Sequence, residues 1–274
     1  MRHVVVCVAL LTACSSGTGS VSISTWGENY IEQKIPSTTF ADGWELKYSK
    51  FLIAIGHIHI ADDGEVGGEF LGTKLFDMTQ PGKKSIVSFS HLPAKTWPLF
   101  RYDIVIATAD TELGVATNAD KTIMTSGGYS IYVEGAATRG SVTKTFKWGF
   151  ATQTRFNSCK GQVGGKETAG AVVTTGGTDT IELTIHGDHL YYDDLQAPQA
   201  KVRFENMALA DTDNDNVITL AELVSVKLVD IPPDRGAYGV GSSNGINDLG
   251  AFVTGLSRTI GHFRGEGECV SEKL

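Results

Sequence analysis

Basic residues are in short supply: 23 lysines and arginines stand against 31 aspartates and glutamates, a net charge of −8, and they form no run. That excludes an electrostatic nucleic-acid binder, which needs clustered cations to meet phosphates. Charged residues of either sign are 20% of the chain against 41% hydrophobic, so it is neither disordered nor collagen-like and can bury a sizeable core. Internal repeats and long low-complexity tracts are lacking. Common catalytic signatures are lacking too: there is no Gly-x-Ser-x-Gly and no His-Glu-x-x-His. Gly164-Gly165-Lys166-Glu167-Thr168 lacks the spacing of a phosphate loop, and Gly239-Val240-Gly241 follows no clear strand, so both read as turns. The expectation is a protein that is not an enzyme.

Glycine is plentiful, at 32 residues, and Thr, Val and Ile abound, which points to strands joined by turns. The run from Trp44 to Ile55 starts with alternation and becomes continuously apolar, as a strand entering a core does. Further strands are expected at 69–77, 85–90, 102–108, 129–134, 142–154 and 180–186, with separators rich in Gly, Pro, Asn and Asp. Seven or so strands without intervening helices predict a mainly β fold, an antiparallel β-sandwich. Beyond residue 200 the pattern changes to short helices at 202–210 and 220–226 and a longer one at 247–260, with Asp248 near its start. The expected division is a sandwich over 25–200 and an appended α-helical region over 201–274.

The chain opens with Arg2, a short apolar run from Val4 to Leu11, and small residues. This is the layout of a secretory signal over 1–13, too short to span a bilayer. Leu11-Thr12-Ala13-Cys14 resembles the lipobox of Gram-negative bacterial lipoproteins. The resemblance implies cleavage before Cys14, its acylation, a lipidated tether over 14–24 and, with Ser15 following, retention at the outer membrane of the cell envelope. The lipid anchor makes the membrane the one expected partner. Two cysteines remain, Cys159 and Cys269, and in an oxidising compartment a disulfide is the economical reading; free thiols serving as soft-metal ligands are the alternative.

One chemical motif stands out. Asp211-Thr212-Asp213-Asn214-Asp215-Asn216-Val217-Ile218-Thr219-Leu220-Ala221-Glu222 resembles the twelve-residue EF-hand calcium loop. Calcium takes six to eight hard oxygens, so the spacing suits Asp211, Asp213, Asp215 and a bidentate Glu222, with the Val217 carbonyl and Thr219 completing the set. Asn216 stands where the family prefers Gly, and Asn tolerates the left-handed turn needed there. A single loop implies a structural staple and not a sensor. A second metal reading uses histidines: His57 and His59 in the long strand, His186 and His189 at the end of another, and His262 near Cys269. Gathered together, they would suit copper or zinc. Bacterial periplasmic copper-binding β-sandwiches are broadly similar, with no specific motif in common. Trp26, Trp44, Trp97 and Trp148 read as core or rim.

Overall fold

In the computed structural model residues 17–196 and 199–274 are described; the expected leader and the lipidation site Cys14 lie outside the described residues. The expected tether is strand for most of its length. Thr18–Gly27 forms β1, in which Val21 and Ile23 are fully buried.

The remaining main strands are β2 (Glu45–Asp62), β3 (Glu65–Asp77), β4 (Lys84–Pro93), β5 (Leu99–Ile104), β6 (Ile131–Arg139), β7 (Val142–Phe150), β8 (Thr154–Asn157), β9 (Thr178–Ile185), β10 (Val217–Ile218), β11 (Gly261–Phe263) and β12 (Val270–Lys273). Each expected strand is present, shifted at its ends, and the single expected strand over 142–154 is two, broken after Phe150. A four-stranded sheet runs β11-β9-β1-β4. A nine-stranded sheet has the path β10-β7-β6-β2-β5-β8-β12, with β3 pairing on β2 and the short strand Glu112–Leu113 on β3. Val21, Ile23, Ile181 and Leu183 of the first sheet share one apolar cluster with Ile53, Ile55, Tyr102, Val133 and Trp148 of the second. Trp44, Trp97 and Trp148 are fully buried, and Trp26 is half-buried.

Three expectations need correction. The sheets are not purely antiparallel: β1 lies parallel to β9 and β10 parallel to β7. Nor are the strands free of intervening helices, since Asn118–Gly127 is helical, held by a Thr117–Asp120 capping box and ended by Gly128 at φ 65°. The C-terminal quarter is not an appended module either. Its helices are short, at Glu205–Ala208, Leu220–Ser225 and Leu249–Leu256, and β10, β11 and β12 return between and after them to join both sheets. Asp248 caps the last helix, its Oδ1 accepting from the Ala251 N–H at 2.9 Å.

Cys159 and Cys269 are joined in a disulfide, with Cα atoms 4.0 Å apart. It fastens the segment after β11 against the strand at Lys160–Val163, where the Lys160 N–H also donates to the Glu268 carbonyl.

Candidate metal centre

Three chain segments meet at the end of the four-stranded sheet. β9 ends at Ile185, and His186 follows with its N–H donating to the Ile260 carbonyl at 2.8 Å. The chain then turns through Gly187 into a 3-10 turn, Asp188–Tyr191. A side chain at Gly187 would strike Ile31 at 2.6 Å and Tyr48 at 2.9 Å, so glycine alone fits between His186 and Asp188. The Tyr48 hydroxyl donates to the Gly187 carbonyl at 2.6 Å and pins the turn. Antiparallel pairing sets His262 of β11 opposite Thr184, two residues before His186. Parallel pairing of β1 with β9 brings Glu28, just past Gly27, beside the same place.

The outcome is a cluster of imidazoles. Ring centroids lie 4.3 Å apart for His186 and His262, 5.0 Å for His189 and His262, and 5.2 Å for His186 and His189. Donor atoms of His186, Asp188 and His189 fall within 4.8 Å of one another, as do those of His186, His262 and Glu266, so two triads share His186. His189 Nδ1 lies 3.1 Å from Thr259 Oγ1, whose own proton goes to the Leu256 carbonyl. The ring therefore donates from Nδ1 and leaves the Nε2 lone pair free, as a metal ligand must. Tyr192 packs against His189 with ring centroids 4.4 Å apart and donates to Asp188 Oδ2 at 3.1 Å. Four buried atoms here have no hydrogen-bond partner among the described residues: His186 Nε2, His262 Nδ1, Asp188 Oδ1 and Glu28 Oε1.

Electrostatics act in the same direction. Burial, then the charge of His262, holds His189 down to about 3, and burial followed by the two neighbouring rings lowers His186 likewise. Burial, then Asp188, pushes Glu28 well above the usual carboxylate range. Both depressed rings are neutral at physiological pH, so no proton has to leave them before a cation arrives. For the metal-free protein the sign follows from the histidine. Below pH 6.5 the unfolded His189 binds a proton that the folded ring refuses until about 3, so stability falls as pH falls through that window. One such ring costs about 2 kcal/mol between pH 6.5 and 5. Denaturant unfolding at both pH values should show this loss in the wild type and a shallower dependence in His189→Phe; identical slopes would refute the assignment.

The other expected ligands lie elsewhere. No group of three or more gathered donors among the described residues includes His57 or His59. His57 sits at a β2 bulge with φ 53°, its Nδ1 3.1 Å from Asp103 Oδ2, and Asp103 is also gripped at both oxygens by Arg155. His59 Nδ1 is 3.3 Å from Glu69 Oε1. Each is a half-exposed ring beside its own carboxylate.

The acidic loop has the backbone of its sequence pattern. Asn214 and Asn216 are left-handed at φ 62° and 66°. Asp211 accepts from the N–H of Asp215 at 3.2 Å and of Asn216 at 3.0 Å, and Asp215 Oδ1 from that of Val217 at 2.7 Å. Carboxylate oxygens of Asp211, Asp213 and Glu222 lie within 4.8 Å of one another; Asp215 is not in this group. Glu222 also forms a capping box with Thr219. Two features depart from an EF-hand. The Lys144 ammonium of β7 lies against Asp211, and the flanking helices have four and six residues.

No family model matches this chain, and no curated protein does. MbnP from Methylosinus trichosporium is a similar solved structure. The match has a TM-score of 0.33 and 11% identity over 85% of this chain and 96% of that one, a likeness too shallow to bear on the site.

Of the residues gathered here, the His186-Gly187-Asp188-His189 run was visible in the sequence, and His262 was a candidate. Glu28 and Glu266 were not, since neither has a neighbour in sequence that marks it.

Proposed function

We propose that this is a lipid-anchored cell-envelope protein that binds one transition-metal ion, copper or zinc, through His186, His189 and His262. Glu28, Asp188 and Glu266 are its carboxylate partners. The observation that carries the reading is the four buried donor atoms without partners at a single place. An unpaired buried polar group costs about 1–3 kcal/mol, and folded proteins keep few of them. A cation held by either triad offers such atoms a partner, and imidazoles with a carboxylate are the donor set that zinc and copper take. In this reading the two sheets form a β-sandwich, Cys14 carries the lipid that holds it at the outer membrane, and the protein binds its ion without turnover.

A second reading is favoured by the gathered oxygens of Asp211, Asp213 and Glu222: the loop takes calcium as a structural staple, with Lys144 displaced from Asp211. Neutralising crowded carboxylates is what either cation, calcium or ammonium, supplies there.

One experiment tests both. Chelator-stripped protein is dialysed separately against calcium, zinc and copper and its metal content measured. One equivalent of zinc or copper retained without calcium is expected, together with one calcium whose removal exposes residues 200–230 to protease. No retained zinc or copper overturns the first reading. Absence of calcium with unchanged proteolysis overturns the second.

A further inference from the structure

The histidine cluster opens onto a cavity of about 530 Å³, within the range of small-molecule sites. His189, His262 and Glu266 form part of its wall, Phe156 and Leu195 add apolar surface, and Arg258 is the one lysine or arginine in its lining. Arg258 follows the helix Leu249–Leu256 and is half-buried. Its Nη1 donates to the Gln153 carbonyl at 2.5 Å and to Thr154 Oγ1 at 3.2 Å, and its remaining nitrogens meet no protein acceptor among the described residues. Arg139, Arg155, Arg203 and Arg264 each hold a carboxylate within 3 Å. Arg258, like Arg101 and Arg235, has none among the described residues, and burial lowers its pKa.

A half-buried guanidinium without a counter-charge, facing a cavity lined also by His189 and His262, suits an anionic ligand. The planar fork of Arg fits a carboxylate with two parallel hydrogen bonds. With the neighbouring carboxylates outside its coordination sphere, an ion held by the three imidazoles keeps a fourth position for an outside ligand. Asp194, Glu266 and Glu268 also line the cavity and disfavour highly charged polyanions.

We propose that this cavity docks a small organic acid, one carboxylate held by Arg258 and a second donor reaching the bound metal. The proposal rests on the metal reading above. Its ligand class is the short mono- or dicarboxylates and their chelating relatives. The metal draws the ligand in and Arg258 orients it, so neither half alone gives full affinity.

The test is calorimetric titration of the full chain, zinc-loaded and metal-free, with succinate, glutarate and adipate, which differ in the distance between their carboxylates. At least one should bind zinc-loaded wild type, at least tenfold more weakly to Arg258→Gln, and with intermediate strength to Arg258→Lys, which keeps the charge and loses the fork. Zinc content and circular dichroism of both variants should match the wild type. Equal affinity in Arg258→Gln, equal affinity without zinc, or no binding by any of the three overturns the proposal. Zinc retained with no acid bound sinks this inference alone, whereas failure to retain zinc sinks the metal reading with it.

Discussion

His186→Ala is expected to lower zinc or copper affinity at least a hundredfold, with losses of similar order for His189→Ala and His262→Ala and no change for His57→Ala. His186 belongs to both triads, so its removal breaks each of them. The companion measurement separates a ligand from a structural residue. His186 Nε2 is buried without a partner, so replacing the ring in metal-free protein should cost no hydrogen bond at that atom. The melting temperature of the stripped variant should therefore stay close to that of stripped wild type, adjusted only for lost packing. Saturating zinc should raise the wild-type value and leave the variant unmoved: ligand at a hundred times its Kd adds about 2.7 kcal/mol to a protein that binds it only when folded. Two outcomes would overturn the assignment. One is a variant that still gains stability from zinc; the other is a His57→Ala protein that does not.

The second large effect belongs to the disulfide. Cys159 and Cys269 are 110 residues apart in sequence, and closing a loop of that length is worth about 4–5 kcal/mol in the chain-entropy model. Here the bond also holds residues of the proposed metal site. His262 lies in β11 and Glu266 between β11 and Cys269, on a segment tied down by three strand residues, the Phe263–Gly267 backbone pair and the bridge. The paired Cys159→Ser and Cys269→Ser variant should be destabilised by several kcal/mol in denaturant unfolding. It should also bind zinc about tenfold more weakly, as when a ligand's supporting contacts are lost. Weakened folding with unaltered zinc affinity would mean that the bridge serves stability alone.

Legibility in the sequence tracked sequence distance. Strands such as β2 declare themselves through their own alternation and apolar run, and the acidic loop through twelve consecutive residues. β1 was hidden because serine and threonine fill its outward positions and glycine its ends, although Val21, Ile23 and Thr25 do repeat at the strand period and are buried. With β1 hidden, so was Glu28, which reaches the histidine cluster only through the parallel pairing of β1 with β9, a register joining residues some 158 positions apart. The Asn118–Gly127 helix did carry a local signal, the Thr117-x-x-Asp120 box with Gly128 behind it. Lys144 illustrates the opposite case. Nothing near it in sequence marks it as the cation against Asp211, because β7 meets the loop only when β10 pairs alongside it.

β1 runs from Thr18, four residues after Cys14, to Gly27, immediately before Glu28. Ten extended residues rise about 33 Å. The proposed anchor at Cys14 would therefore join the folded body at the opposite end of β1 from Glu28 and the histidines, about 33 Å away along the strand.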